Sequence, residues 1–400
     1  MRIGLVFLLA GFVLSQFYRA FLAVLAPMLT ADLGVSAEAL ARASGLWFAA
    51  FALAQLPVGW ALDRFGPRRT AAWLTLVAAG GAALFAAAQG AGGVTLAMVL
   101  LGIGCAPVLM AAFYIFGRMW PAAMFGTLAG MAMAVGAMGN LLSALPMAWA
   151  AESFGWRTTM LALAVLTLAV AGGIARWVQD PPPAPAGSGG GRLTDLLRIP
   201  ALWLILPLLI VNYAPSAGIR GLWIGPYLQD VHGATSGLIG QATLVMALAM
   251  VAGSVFYGPL DRLFGTRKGV VLAGNSVGLA ALVVLCALPW LGPWAGGVTG
   301  PWGATAMMAA AGLFGASFPL LIAHGRSFMP PALLGRGVTL MNLCAIGGVG
   351  VLQIATGRIH GAAIAAGAEP AAAYALIFGF FALCLAVGLA LYAFSRDRTD

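Results

Sequence analysis

Apolar residues in this chain gather into runs of roughly twenty, the length that crosses a bilayer, parted by short polar breaks. Twelve runs can be drawn, at about 4–27, 41–62, 70–90, 94–117, 124–147, 157–177, 202–228, 237–258, 269–289, 303–324, 334–356 and 372–394. Each predicts a helix, because a segment in lipid must satisfy its own backbone hydrogen bonds. A transmembrane barrel would show segments of about ten residues alternating in polarity, and none is visible. The first run follows Met1-Arg2 without a small-residue cleavage site before Arg19, so it reads as a span and not a signal peptide.

The polar breaks carry the next level of order. One holds an acid and three arginines in a turn: Gly59-Trp60-Ala61-Leu62-Asp63-Arg64-Phe65-Gly66-Pro67-Arg68-Arg69. It returns in reduced form as Gly258-Pro259-Leu260-Asp261-Arg262-Leu263-Phe264-Gly265-Thr266-Arg267-Lys268. Pro27 with Gly34 after span 1 matches Pro226 with Gly233 after span 7, and Gly117-Arg118 matches Gly325-Arg326. Between the copies, Asp180-Pro181-Pro182-Pro183 and a glycine-rich stretch make a flexible linker. Residues 192–198 beyond it could form a short amphipathic helix on the membrane surface. The expected organisation is a six-helix bundle at 1–177, a linker at 178–201 and a second six-helix bundle at 202–400. Two parallel repeats point to a transporter with its site near the midplane.

Composition agrees. The chain is 62% hydrophobic and 8% charged, with mean hydropathy +0.99, against about 25% charged residues in a soluble domain. The net charge of +9 is spread over short loops, which argues against nucleic acid. It sets orientation instead. With both termini in the cytoplasm, fifteen of the twenty basic residues fall inside, three (Arg42, Arg157 and Arg358) fall outside, and Arg19 and Arg220 lie within spans. Cys105, Cys286, Cys344 and Cys384 sit in apolar runs without metal-ligand spacing and read as small buried residues. No metal, no cofactor and no enzymatic activity is expected.

These features resemble the major facilitator superfamily. The Gly59–Arg69 turn is similar to that family's signature between helices 2 and 3, and Gly155-Trp156-Arg157 at span 6 is also typical of it. The resemblance implies an all-α membrane fold of twelve helices in two pseudo-symmetric bundles, working by alternating access. It implies a cavity lined most closely by helices 1, 4, 7 and 10. It also implies a gating role for the turn, carried here by Gly59, Asp63, Arg64, Gly66, Arg68 and Arg69 and echoed by Asp261 and Arg262. Independently of family, Asp63 at a helix end could accept hydrogen bonds from a helix N-terminus or pair with Arg118.

Arg19 and Arg220 are the candidate chemistry. A charge inside a membrane helix costs roughly 2.5–3.5 kcal/mol on insertion scales and usually faces a cavity. No acid lies deep in any span to neutralise either one. Two such guanidinium groups suit a carboxylate or phosphate. Gln16 shares a helical face with Arg19; Asn212, Ser216 and Trp223 share one with Arg220. Pro207 and Pro215 should kink or break span 7. Tyr114, Asn140 and Gln241 are further polar candidates, each open to a second reading as an interhelix hydrogen bond. His324 reads as a structural histidine near the inner surface.

Tyr18-Arg19 with Pro27 and Gly34 also resembles span 1 of the anion:cation symporter branch, and an arginine in each of spans 1 and 7 resembles the organophosphate/phosphate antiporters. The expected function is uptake of a small organic anion across a bacterial plasma (inner) membrane by a monomer, driven by H+ or Na+ or exchanged for an anion. An exporter of amphipathic compounds is the alternative. Met98, where drug/proton antiporters carry an arginine before Gly102-Ile103-Gly104, and the missing Gly-Pro signature in span 5 count against it. Met246 and Met250 raise a third reading, copper import, against which packing is preferred.

Overall fold

A computed structural model describes residues 2–182, 196, 198–291, 299–330 and 334–398. The chain forms two compact units, Met1–Ala186 and Gly187–Asp400. Unit 1 holds α1 (Arg2–Tyr18), α2 (Leu22–Leu33), α3 (Ala37–Ala86), α4 (Ala91–Cys105), α5 (Pro107–Met119), α6 (Ala122–Leu142), α7 (Leu145–Phe154) and α8 (Trp156–Trp177). Unit 2 holds α9 (Pro200–Asn212), α10 (Ala214–Gly218), a π-helical turn (Ile219–Trp223), α11 (Ile224–His232), α12 (Ser236–Phe264) and α13 (Arg267–Leu291). It continues with α14 (Pro301–Phe314), α15 (Phe318–Arg326), α16 (Leu334–Ala365) and α17 (Pro370–Tyr392).

Among the described residues, nine helical stretches are long and apolar enough to cross a membrane, or eleven if each of two bent pairs is one crossing. The bent pairs are α1–α2, at 53°, and α6–α7, at 41°. At 50 residues α3 would extend about 75 Å if straight, over twice the hydrocarbon thickness. It is interrupted at Gly66, where φ 82 and ψ 161 lie outside the helical region. A side chain there would meet both positive φ and the Asp180 carboxylate. Counting the two limbs separately would bring the total to twelve. The expected surface helix at 192–198 lies largely outside the described residues.

The same local devices recur in both units. Gly34 ends α2 at φ 62 and Gly233 ends α11 at φ 61, 199 residues apart. Two residues later the Ser36 hydroxyl accepts the Ala39 N–H, and the Thr235 hydroxyl accepts the Leu238 N–H. Small residues bring helices close: a Cβ on Gly139 of α6 would collide with the Val13 carbonyl of α1, and one on Gly348 of α16 with the Ile210 carbonyl of α9.

Aspartates tie the last helix of each unit to its neighbours. In unit 1, Asp32 accepts the Trp156 indole N–H at 2.8 Å and lies 3.5 Å from Arg157. Asp180, beyond the other end of α8, accepts the Arg68 N–H at 2.7 Å and so caps the second limb of α3. In unit 2, Asp230 accepts the Tyr374 hydroxyl at 2.5 Å. Asp397, beyond α17, accepts the Lys268 N–H at 3.0 Å and the Thr266 hydroxyl at 2.5 Å. All four cysteines are free; Cys105 is buried as expected, but Cys286, Cys344 and Cys384 are only partly so.

Candidate functional site

Arg19 sits where span 1 breaks. α1 ends at Tyr18, α2 begins at Leu22, and the residues between form a turn. The Tyr18 hydroxyl pairs with Thr167 of α8 at 2.8 Å and is fully buried, which pins the break against the unit. The guanidinium projects onto α3, 5.1 Å from the Phe51 ring centre, 5.5 Å from Trp47 and 6.0 Å from Phe48. Trp47 and Phe51 are themselves stacked, 13° from parallel. Ring faces attract the cation electrostatically without supplying hydrogen-bond acceptors. The buried Arg19 Nε accordingly has no partner, nor do the buried Gln16 Oε1 and Trp47 Nε1. Among the described residues no carboxylate pairs with Arg19. The cluster therefore offers donors and an acceptor that its own unit leaves unused.

Arg220 occupies the corresponding irregularity of span 7, inside the π-helical turn that follows Pro215 at the start of α10. Pro207 lies within α9. π-helical turns inside helices are frequent at functional sites. Arg220 is 1% exposed and engaged within its surroundings, although its Nε and Nη1 lack hydrogen-bond acceptors. Around it the polar groups largely bond one another. The Trp223 indole donates to Thr356 at 3.0 Å, and the Ser216 hydroxyl donates to the Ala311 carbonyl at 3.2 Å. The Asn212 amide donates to Asn275 at 2.5 Å and Ser317 at 3.0 Å, joining α9, α13 and the turn before α15. Gln353, fully buried beside Gly218, has both amide atoms unpaired.

The remaining candidates separate. Asn140 keeps a buried, unpaired Oδ1 on α6, the helix packed on α1. Gln241 is exposed. Tyr114 belongs with the charged turn: Asp63 lies near its hydroxyl, and Arg118 lies 4.6 Å from its ring centre. Asp63 and Arg118 both lie beside Tyr114 but form no ion pair with each other, and Arg118 donates to the Pro182 carbonyl at 3.3 Å. Arg68 donates through Nε to the Ala175 carbonyl at 2.7 Å, while Arg64 and Arg69 are exposed and nothing crowds Gly59. The side chains of Asp261 and Arg262 lie outside the described residues. His324 is fully buried, bonded to Tyr392 at 2.7 Å and the Arg396 carbonyl at 3.0 Å. Met246 and Met250 flank Gly312 of α14. No cluster of three or more metal-ligating His, Cys, Asp or Glu exists among the described residues.

Several members of the two clusters carried no signal in the sequence. Trp47, Phe48 and Phe51 are three aromatics among many, although their three- and four-residue spacing does put Trp47 and Phe51 on one helical face. His360, beyond the drawn end of span 11, lies against Trp223 and Tyr374, at ring distances of 5.4 and 4.8 Å.

The fold and these sites define a multi-pass α-helical membrane protein built from two repeats, each with an arginine at a broken span. The Major Facilitator Superfamily model matches residues 7–343, and the chain belongs to that superfamily. Transporters of that superfamily bind small-molecule substrates. The chain is 26% identical over 206 residues to AraJ, a transporter by name, of Escherichia coli (strain K12); the match covers 50% of this chain and 47% of that protein. The chain thus spans about half the length of that curated relative. A bacterial homologue of the human lysosomal transporter Spinster, inward-facing and occupied, superposes with TM-score 0.75 at 16% identity, covering 98% of this chain and 96% of that one. A D-xylose-proton symporter superposes with TM-score 0.76 at 14% identity, covering 98% and 97%. The POT family transporter PepTSo gives 0.73 at 15%, covering 98% and 97%. At such identities the likeness is one of fold.

Proposed function

We propose that the protein is a secondary transporter of a small organic anion, carboxylate- or phosphate-bearing. It would work by alternating access through twelve crossings, six on each side of the 178–201 linker, with both termini in the cytoplasm of a bacterial cell. The observation that carries this reading is Arg19: a half-buried arginine at a broken span, held on three aromatic rings, with a buried N–H and, among the described residues, no acid paired with it. A fixed positive charge in low dielectric is costly until an anion fills it. Gln16 and Asn140 would orient the substrate. The charged turn would bias the two conformations through Asp63, Tyr114 and Arg118. H+, Na+ or a counter-anion would supply the driving force.

The test is uptake into proteoliposomes from a panel of carboxylates, phosphate esters, cationic dyes and Cu(I), comparing wild type with Arg19→Ala. Anion uptake that Arg19→Ala abolishes supports the reading. Transport of cations that survives Arg19→Ala overturns it. The packing of Met246 and Met250 on Gly312 gives copper import no separate support.

A further inference from the structure

The charged turn borders a second feature of unit 1 that substrate transport does not use. A cavity of about 680 Å³ runs between α3 and α8, its walls including Arg69, Trp73, Leu76, Leu168, Gly172 and Asp180. Its two ends differ chemically. At one end stand Arg68 and Arg69. Asp180 is the acid there, but one carboxylate oxygen is already taken by the Arg68 N–H that it caps. The Arg68 Nε is taken by the Ala175 carbonyl. Arg69 is exposed and has no hydrogen bond or ion pair among the described residues. At the other end the wall is apolar and open: Trp73 is 69% exposed, Leu168 51% and Leu76 41%. Gly172 widens it, since nothing lies within 4 Å of where its Cβ would stand.

Cationic at one end and apolar along its length, the cavity complements a molecule that is anionic at one end and hydrocarbon along its length. We propose that it binds one anionic phospholipid. The phosphate would rest at Arg69, with the remaining guanidinium donors of Arg68 beside it, and an acyl chain would run along Trp73, Leu76 and Leu168 past Gly172. Tryptophan favours the headgroup level of a bilayer, and a basic pocket between transmembrane helices is suited to an anionic headgroup. The lipid would lie directly beside the Asp180 cap, and so beside the break at Gly66.

Native mass spectrometry of the full chain, released from micelles containing equal phosphatidylglycerol and phosphatidylcholine, tests this. Wild type should retain one phosphatidylglycerol in preference to phosphatidylcholine by about fivefold or more. Arg69→Gln should remove most of that preference. Gly172→Leu should block the acyl path and lose the adduct with every charge intact; its side chain enters open space and a better helix former replaces glycine. Arg42→Gln, at an exposed arginine elsewhere in the unit, should match wild type. Equal retention of the two lipids by wild type, or an unchanged phosphatidylglycerol adduct in either pocket variant, overturns the proposal. Should Arg69→Gln fail to give monodisperse protein, Gly172→Leu decides alone.

Discussion

Arg19 and Arg220 stand in corresponding spans of the two repeats, 201 residues apart, yet their surroundings differ in kind. Arg19 is half-buried and rests on ring faces. Arg220 is 1% exposed, enclosed in a π-helical turn, with neighbouring polar side chains that mostly bond one another across α9, α13, α14 and α16. A repeat duplicates the backbone device, the broken span, more faithfully than the use made of it. Unit 1 leaves its arginine half-exposed on ring faces; unit 2 builds its arginine into the packing.

The largest effect should come from Arg19. Removing one partner of a desolvated charged contact costs about 2–5 kcal/mol, so Arg19→Gln should lower uptake efficiency about thirtyfold or more while the thermal midpoint moves little. Equal losses of uptake and stability would erase the contrast. Arg220→Ala should do the reverse. Emptying a fully buried site and stranding its neighbours costs about 3 kcal/mol, read as a lowered unfolding midpoint in detergent. A stable Arg220→Ala protein with lost uptake would make the two arginines equivalent.

Gly139→Ala and Gly348→Ala sharpen the contrast next, since each Cβ would strike a carbonyl of the broken span opposite. Overpacking costs about 1–3 kcal/mol in either unit. Gly139→Ala should also change substrate KM, because it displaces α1 and hence Arg19, whereas Gly348→Ala should change stability without changing KM. Smallest are the caps: Asp180→Ala and Asp397→Ala should each cost about 1 kcal/mol by unfolding. Asp397 adds a pH signature. Partial burial would raise its carboxyl, but the Thr266 hydroxyl, the Lys268 N–H, His324 and the Arg267 backbone outweigh that and hold it below the usual carboxylate range. Its folded state is therefore the weaker proton binder. The stabilisation is full above the ordinary carboxylate pKa and is lost as pH falls through the depressed folded value. Unfolding midpoints of wild type should fall on acidification through that window more than those of Asp397→Asn.

Much of the fold was legible in advance. The apolar runs located the helices, Pro27 with Gly34 and Pro226 with Gly233 marked the repeat, and the Gly59–Arg69 turn foretold a break that falls at Gly66. The sites were legible only in part. Arg19 was conspicuous because a lone charge in an apolar run is rare, but nothing local marked Trp47 and Phe51 as its neighbours. Tyr114 read as a polar group in span 4, yet its neighbours are Asp63 and Arg118. Asp180 read as the start of a linker and is a helix cap for a residue 112 positions earlier.

By itself, then, the sequence determined the solvent, the helices and the twofold repeat. Hydropathy and helix length are sums over neighbours in the chain, and lipid leaves the backbone no other choice. Only the tertiary structure decided which arginine is left half-exposed and which is sealed, and which aspartates cap which helices. Those outcomes depend on burial and hydrogen-bond partners contributed by residues far apart in sequence, which no local pattern encodes.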